Sequence, residues 1–496
     1  MEQFRPIAIG NFKFKVISKI LADKLSSIMP AITSVQQRGF IKGWSIKDCI
    51  CLTYEIINVL HKRSFGGNIA IKVDMAKAFD TLNWNFLLKV LKAFGFSEVF
   101  CNWIKSILES ARMSITINGK LHRYFACSRG VRQGDPISPL LFCLAEEVLR
   151  RSLTKLVIDG NLKLIHGSRS NPALSHILYV DDIMLFGKGT SSNIQNLTDL
   201  FTKYAQISCQ FVNPQKSSIL SGSISPQKLS QISLLIGFSI GTLPFTYLGV
   251  PIFKGKAKTA YVQPIIDKVK LKLSAWKSSL LSLAGKVQLV KSVIHSMLIH
   301  CITNYSWPVL LIKDLERWMR NFIWSGDVNK RKLVTVAWHK VCSPINEDGL
   351  GIRSLSKVNE DANLKLCWEM MQSNLPWAQF LRNRVLKKNV PISYHISSSI
   401  WTSVKHKYQE VIFNSSWLLG NGQDINFWKD LWCRNSIVSS LDIPVAFHPF
   451  LKATVSQFII NHSWSIPPNL LQMFPNLYDL IKEVSIPVIE REDKII

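Results

Sequence analysis

The spacing of apolar residues changes along the chain, and each change predicts a different secondary-structure element. Three- and four-residue spacings in "FKVISKILADKLSSIMP" predict a helix that stops at Pro30, and the amphipathic "WNFLLKVLKAFGF" predicts another helix that Gly95 closes. The run "GGNIAIKVDM" predicts a glycine turn into a strand, and Asn118-Gly119 in "MSITINGKLHRYFACSRG" predicts a hairpin turn. From residue 261 to about 322 the pattern is overwhelmingly helical. About 250 residues of mixed strands and helices therefore precede a helical region.

Composition and charge narrow the class of protein. The chain has 496 residues, of which 47% are hydrophobic and 19% are charged, as is typical of a globular protein with roughly three domains or large subdomains. Lys and Arg number 60 against 33 Asp and Glu, and the net charge of +27 favours a polyanionic partner, either nucleic acid or an acidic membrane. A basic protein without such a partner is the alternative.

Cysteine usage and hydropathy bear on the compartment. The ten cysteines form no CxxC pair, and no secretory signal is visible at the N-terminus, which favours a reducing intracellular compartment, nuclear or cytoplasmic. The two stretches without formal charge, 231–253 and 292–312, contain polar or helix-breaking residues that are costly in hydrocarbon. We therefore expect no transmembrane segment and no membrane partner.

Two adjacent acids interrupt the apolar run "HILYVDDIMLFG". The apolar flanks predict a β-hairpin with Asp181 and Asp182 at or beside its turn, where both carboxylates can approach one point. Neighbouring carboxylates repel each other unless a cation neutralises them, and a divalent cation with oxygen ligands does this well. Asp74, at the end of the strand in "IAIKVDMAKAFD", supplies a third carboxylate. Strand-end acids brought together form a usual scaffold for two Mg²⁺ ions, whereas an exposed acidic hairpin tip without chemistry is the alternative.

Two further features lie between these acids in the sequence. Asp80 precedes "TLNWNFLL", and we expect it to cap that helix rather than to bind metal. In "SRGVRQGDPISPLLF", Gly130 and Gly134 let the backbone approach a ligand, and Gln133 offers an amide donor and acceptor. The prolines begin a helix whose N-terminus favours anions. Taken alone, this loop is compatible with any helix entry.

Ordered blocks of sequence carry a family resemblance. The blocks are "FRPIAIGNFKFKVISKILADKL", "QQRGFIKGWSIKDCI", "IKVDMAKAFDTLNW", "GVRQGDPISPLLF", "YVDD", "NPQKS" and "YLGVPIF". In order and spacing they resemble the reverse transcriptase of LINE-type non-LTR retrotransposons of plant genomes, over roughly residues 4 to 371. A weaker likeness extends through "SSWLLGNGQDINFWKDLW". The resemblance implies a fragment that lacks the endonuclease and ribonuclease H regions.

The resemblance also implies roles for individual residues. Asp74, Asp181 and Asp182 correspond to the catalytic aspartates that bind two Mg²⁺ ions, for which Mn²⁺ can substitute. Phe79 falls at the aromatic steric gate against a ribose 2′-hydroxyl, and its alternative role is that of a core aromatic. Lys216 falls in the block proposed to supply a general acid, and its alternative role is that of a solvated lysine.

Other positions concern the nucleotide and the nucleic acid. Arg132, Gln133 and Gly134 fall where the family contacts the incoming nucleotide and template. Trp44 stands where relatives usually have an arginine, to which the resemblance assigns contact with the triphosphate, and Lys42 or Arg38 are the candidates to replace it.

Lysines are interleaved with an apolar helical face in "DKVKLKLSAWKSSLLSLAGKVQLVKS". Lys268, Lys270, Lys272 and Lys277 are therefore expected to contact a nucleic-acid backbone. An ordinary helix with a solvated lysine face is the alternative.

These observations predict an α/β right-hand polymerase. We expect fingers and palm over 1–250, a helical thumb over 251–360 and an α-rich connecting segment of uncertain role over 361–496. The expected reaction is RNA-directed DNA synthesis, with an RNA template, a DNA primer and deoxynucleoside triphosphates as partners. A catalytically inactive remnant that binds nucleic acid, or a host-adopted scaffold, is the alternative. The sequence specifies no protein partner, oligomeric state or target site.

Overall fold

The computed structural model describes residues 11–34, 36–165, 175–276, 280–387, 390–489 and 491–496. Its elements fall into two compact units. The first comprises Met1–Asn359 and Leu375–Ser403, and the second comprises Glu360–Asn374 and Val404–Ile496. The division into three parts at about residues 250 and 360, which the sequence predicts, differs from these two units and stays a prediction.

The first unit begins with helices and strands in alternation. Up to residue 158 these are α1 (Phe12–Ile32), α2 (Ile46–Ile57), β1 (Asn68–Asp74), α3 (Ala78–Thr81), α4 (Trp84–Ala93), α5 (Glu98–Glu109), β2 (Arg112–Ile117), β3 (Lys120–Ala126) and α6 (Ser138–Ile158). They are followed by β4 (His176–Tyr179), β5 (Asp182–Lys188), α7 (Ser191–Ser208), β6 (Ser218–Ser221), α8 (Pro226–Ile236), β7 (Ser239–Ile240), β8 (Phe245–Tyr247) and β9 (Val250–Ile252).

A mostly helical stretch follows, as the spacing of apolar residues predicts. It contains α9 (Thr259–Ala275), α10 (Leu283–Leu289), a π-helical turn (Val290–Ile294), α11 (His295–Ile302), α12 (Val309–Ser325), α13 (Trp338–Val341), a 3₁₀ turn (Ile345–Glu347) and α14 (Leu355–Gln372). The chain then forms α15 (Pro376–Val385), β10 (Leu386–Lys387), β11 (Val390–Pro391) and α16 (Ser399–Val404).

Apart from residues 360–372 of α14, the second unit is built from short elements. They are a 3₁₀ turn (Lys405–Lys407), α17 (Tyr408–Phe413), β12 (Trp417–Leu418), α18 (Ile437–Ser440), two 3₁₀ helices (Val445–Phe450 and Val455–Phe458), β13 (Ile459–Ile460), β14 (Ser463–Trp464), α19 (Pro468–Met473), α20 (Leu477–Ile481) and β15 (Lys494–Ile495). Its core gathers aromatic side chains, with the buried Phe427 ring lying against Trp428, Trp432 and Phe458.

A five-stranded sheet organises the first unit. Its strand order is β4-β5-β1-β6-β7, and every pairing is antiparallel except that of β6 with β7. The central strands are apolar on both faces, as in the consecutive buried residues Met184 and Leu185 of β5, which lets α4, α6 and α7 contribute to one core beside the sheet. This arrangement places the two acid-bearing strands, β1 and β5, next to each other.

Local signals set most helix boundaries. Ser45 and Asp48 form a capping box at the start of α2, and Asn83 caps α4 by accepting from the Phe86 amide. The helix expected to stop at Pro30 instead runs to Ile32, which corrects the sequence prediction. Pro30 lies in the last turn, where the loss of one amide donor is tolerated and the Thr33 amide closes the helix on the Met29 carbonyl.

Hydropathy along the helices excludes one class of element. Across the described parts of the chain, no helix combines the length and apolar character required to cross a bilayer.

Candidate active site

The acidic pair lies at a tight hairpin turn, as its apolar flanks predict. β4 and β5 are antiparallel, Tyr179 pairs with Asp182, and only Val180 and Asp181 form the loop between them. Val180 has a φ of 57° although it is β-branched, a conformation that L side chains rarely adopt. Backbone strain of this kind persists only where the surrounding structure holds it, and it is concentrated at functional sites.

Asp74 and Asp182 stand opposite each other in the sheet. They are Cα partners in the antiparallel register of β1 and β5, and directly opposed residues project to the same face. The Met75 amide donates to the Asp181 carbonyl over 3.4 Å, so the hairpin turn also lies against the end of β1. The structure therefore brings Asp74, Asp181 and Asp182 to one end of the sheet, each half-buried.

A second loop holds the backbone of Asp74 from the other side. The Asn213 amide donates to the Asp74 carbonyl over 2.8 Å, and the Asp74 amide donates to the Ser217 hydroxyl over 3.2 Å. The Ser217 hydroxyl itself donates to the Asn213 carbonyl over 2.7 Å. Lys216 lies in this loop with an exposed side chain. The sequence assigned a role to Lys216 alone in "NPQKS", although Asn213 and Ser217 are the residues that contact Asp74.

A fourth carboxyl group lies near the hairpin turn. Glu146 of α6 is buried, and the Gln37 amide nitrogen donates to its Oε2 over 3.2 Å. Burial and the charge of Asp181 raise the pKa of Glu146 well above its usual range. Sequence reasoning missed Glu146, and its only signal was an acidic pair inside the apolar helix "SPLLFCLAEEVLRR".

The residues expected to contact the nucleotide form a local network. The Gln133 amide nitrogen donates to Asp80 Oδ1 over 3.0 Å, and the Phe79 carbonyl accepts from the Val131 amide over 2.7 Å. Asp80 lies inside α3 and does not cap α4, which corrects the sequence prediction. The segment that contains Phe79 and Asp80 lies beside the segment that contains Val131 and Gln133, so the Asp80 carboxylate can orient the Gln133 amide. Gly134, with a φ of 89°, is exposed.

Arg132 makes its contacts with helices rather than with the three aspartates. Its Nη2 donates to the Ser110 hydroxyl over 3.0 Å, and its guanidinium lies 4.3 Å from the centre of the Phe14 ring. The structure thus engages Arg132 with α1 and the end of α5, and its role toward a nucleotide stays a prediction.

Trp44 covers a buried arginine. The Arg38 guanidinium lies 4.3 Å from the centre of the Trp44 ring and 3.7 Å from Asp48. Among the described residues, neither terminal nitrogen of Arg38 has a hydrogen-bond partner, although Arg38 is buried. Lys42 is exposed. Of the two candidates to replace an arginine at position 44, Arg38 therefore lies beneath Trp44 itself.

The lysines of α9 do not share one environment. Lys268 and Lys272 are exposed one helical turn apart, whereas Lys270 lies 5.1 Å from the centre of the Trp318 ring. Lys277 lies outside the described residues. Lys268 and Lys272 are thus the pair placed to contact a long polyanion from one face.

The donor set at the end of β1 and β5 fits a hard divalent cation in kind. Carboxylate oxygens are the ligands that Mg²⁺ prefers, and Asp74 and Asp182 present them on one face. In the described part of the chain, however, no three His, Cys, Asp or Glu side chains converge closely enough to hold one ion.

Comparison with known proteins agrees with this geometry. The family model for reverse transcriptase (RNA-dependent DNA polymerase) matches residues 1–252, which include β1, the loop before α6 and the β4–β5 hairpin. The chain belongs to the reverse transcriptase family. Reverse transcriptases generally use divalent metal ions, which agrees with the acidic strand ends.

Curated relatives come from mobile elements and a plant genome. A putative ribonuclease H protein of Arabidopsis thaliana is 29% identical over 39% of this chain and 32% of its own length. The 149 kDa protein of transposon TX1 of Xenopus laevis is 26% identical over 66% of this chain and 24% of its own length. The Pol polyprotein of retrotransposable element R2DM of Drosophila melanogaster is 24% identical over 77% and 35%. This confirms the resemblance to non-LTR retrotransposon reverse transcriptases.

The chain spans about a quarter to a third of the length of these relatives. Among solved structures, an apo telomerase of Candida tropicalis is similar at a TM-score of 0.34 and 15% identity, over 48% of this chain and 44% of that one. The family match and the mixed sheet-and-helix architecture confirm the polymerase fold class that the sequence predicts.

Proposed function

We propose that this reverse transcriptase unit catalyses RNA-directed DNA synthesis, extending a DNA primer on an RNA template with deoxynucleoside triphosphates. The observation that carries the proposal is the direct pairing of Asp74 with Asp182 across β1 and β5, with Asp181 in the adjoining turn. The net charge of +27 supports a nucleic-acid partner, because a polyanion releases counterions when lysines and arginines replace them.

In chemical kind, the three carboxylates suit the two Mg²⁺ ions of this proposal. Asp74, Asp181 and Asp182 would hold them, and the bound ions would align the primer 3′-hydroxyl with the triphosphate and neutralise the charge that develops as pyrophosphate leaves. Asn213 and Ser217 hydrogen-bond to the backbone of Asp74, which holds the end of β1, and with it the Asp74 carboxylate, in position.

Other side chains serve the nucleotide in this proposal. Phe79 excludes a ribose 2′-hydroxyl, and Gln133, held by Asp80, contacts the incoming nucleotide. Lys216 is exposed beside the segment that carries Asp74, where it can donate a proton to the leaving pyrophosphate.

Primer extension on an RNA template with Mg²⁺ tests the proposal. We expect the parent chain to extend the primer and the Asp181→Asn/Asp182→Asn variant to lose at least about a thousandfold in rate, because the remaining carboxylate cannot neutralise the triphosphate. Duplex binding should stay within about twofold of the parent, since the thumb and its lysines are unchanged.

The same assay identifies the alternative function. A parent chain that binds duplex but extends no primer would be a remnant that only binds nucleic acid. Comparable incorporation of ribonucleotides and deoxynucleotides would contradict the DNA-synthesis assignment instead.

A further inference from the structure

Helix α2 carries polar side chains where burial is most costly. Asp48, Glu55 and Asn58 all lie on α2 or at its C-cap, and their exposed fractions are 5%, 0% and 0%. A buried carboxylate is destabilising unless an opposite charge or several hydrogen bonds compensate it. The source of those partners therefore determines what keeps α2 in place.

The charge partner of Glu55 comes from more than 300 residues away. Arg384 of α15 donates from Nη1 to Glu55 Oε2 over 2.5 Å and from Nη2 to the Ser397 carbonyl over 2.7 Å. The Ser398 hydroxyl donates to Glu55 Oε1 over 2.6 Å. Both oxygens of the buried carboxylate are thus engaged by the segment 375–403.

The same segment engages the two other polar residues of α2. The Trp377 indole donates to Asp48 Oδ1 over 3.1 Å, and Asp48 also pairs with Arg38. The Asn58 amide nitrogen donates to the Ser399 hydroxyl over 3.1 Å. Three turns of α2 are therefore held along their length by one downstream segment.

The contacts continue from α2 to the β8–β9 hairpin. Tyr54 of α2 donates its hydroxyl to the Pro251 carbonyl, and the Ser399 hydroxyl donates to the Phe253 carbonyl over 3.1 Å. The hairpin also contacts β1, because Lys72, two residues before Asp74, donates from Nζ to the Thr246 carbonyl over 3.0 Å. The hairpin thus extends from the segment 375–403 to the neighbourhood of a catalytic aspartate.

We propose that Leu375–Ser403 is an integral brace of the polymerase unit, in which Arg384, Trp377 and Ser399 are positioning residues for α2 and for the β8–β9 hairpin. These residues belong to the first compact unit although they lie beyond the region that the family model matches. The segment thereby sets the relation between α2, whose Asp48 pairs with Arg38, and the hairpin that contacts β1, the strand that carries Asp74. Its effect on primer extension rests on the proposed function, whereas its effect on α2 does not.

Hydrogen–deuterium exchange on the full chain tests the brace. Ser399→Ala removes a donor to Phe253 and an acceptor for Asn58, and Trp377→Phe removes one donor to Asp48 while keeping an aromatic ring. We expect amides of α2 and of Phe245–Ile252 to exchange about five- to tenfold faster in these variants, with α7 and the second unit unchanged. Ser393→Ala is the matched control, since Ser393 is an exposed serine of the same segment.

Primer extension with the same variants supplies the functional readout. Ser399→Ala should lower kcat for primer extension about fivefold and leave the KM for the nucleotide within about twofold, because the displaced hairpin no longer holds β1 through the Lys72–Thr246 contact. Unchanged exchange in α2 and the hairpin would overturn the brace, and so would uniformly faster exchange across the first unit. A parent chain without primer extension would contradict the proposed function alone, because the exchange result would still decide the brace.

Discussion

At the residue scale, Phe79 shows how one side chain can be fixed by packing and still remain partly exposed. Its ring stacks on Phe142 with centroids 4.8 Å apart and an interplanar angle of 15°, and it remains half-buried. The two roles that the sequence left open, steric gate and core aromatic, are therefore compatible. Stacking on the fully buried Phe142 holds the Phe79 ring rigid, which a gate requires.

Shortening Phe79 tests its proposed role. Phe79→Val should raise ribonucleotide incorporation relative to deoxynucleotide incorporation at least about tenfold, because the smaller side chain leaves room for a 2′-hydroxyl. Single-nucleotide extension with GTP and dGTP measures the ratio. Phe79→Tyr keeps the ring and should keep the parent ratio; an unchanged ratio in Phe79→Val would leave Phe79 as a core aromatic only.

His176 gives a prediction about pH and stability. It is buried on β4, and burial, with the charge of Arg150, lowers its pKa to about 3. In the unfolded chain the His176 imidazole takes up a proton as pH falls through about 6.5, whereas in the folded chain it stays neutral down to about pH 3. Protonation therefore favours the unfolded chain, so the contribution of His176 to stability is fully present above about pH 6.5 and is lost as pH falls toward 3.

The magnitude follows from the width of this window. Between pH 6.5 and 5, His176 should lower the free energy of unfolding by roughly 2 kcal/mol, at about 1.36 kcal/mol per pH unit. Urea unfolding of the parent and of His176→Asn at both pH values measures the difference. An identical pH dependence in the two proteins would mean that His176 titrates normally in the folded chain.

At the scale of elements, a short segment before α2 sets the shape of the β4–β5 hairpin. The Arg38 amide donates to the Leu178 carbonyl and the Leu178 amide donates to the Gln36 carbonyl, so residues 36–38 run parallel to β4. A Cβ on Gly39 would lie 2.5 Å from Val180 Cγ2. The block "QQRGF" therefore has a structural reason for its glycine, because any larger residue contacts the strained turn beside Asp181.

Adding a methyl group at Gly39 tests this packing. Gly39→Ala should lower the rate of primer extension at least about tenfold by moving the turn that carries Asp181, with little effect on duplex binding. The double variant Gly39→Ala/Val180→Ala removes the contacted methyl and should recover part of the rate. A double variant no faster than Gly39→Ala would show that the clash is not with Val180.

At the scale of the whole molecule, we expect the basic excess to provide affinity for nucleic acid rather than chemistry. The end of the sheet formed by β1 and β5 gathers acids, whereas Lys268 and Lys272 are exposed on one face of α9. In the proposed function, the lysines bind the phosphate backbone and the carboxylates remain available to metal ions.

The salt dependence of duplex binding tests the lysine face. Lys268→Ala and Lys272→Ala should each reduce the slope of log Kd against log salt by about one, since each lysine replaces about one counterion. Lys270→Ala should change the slope less, because Lys270 lies over Trp318. Lys452→Ala, an exposed lysine of the second unit, is the control; equal effects of all four changes would indicate a diffuse positive field without a preferred face.

The sequence by itself determined the local elements and the candidate acids. The strand that ends at Asp74, the hairpin at Asp181-Asp182 and the turn at Asn118-Gly119 were all predictable, because periodicity and turn chemistry act over a few residues. The ordered blocks likewise identified the family before any geometry was known.

The tertiary structure alone decided which of these residues meet. Three contacts have no local signature in the sequence. Strand β1 pairs with β5 and so places Asp74 opposite Asp182, and Gln133 rather than a helix amide binds Asp80. Arg384 compensates the charge of Glu55. The physical reason is that a buried polar group is satisfied by whichever partner the packed chain brings near it, however distant in sequence.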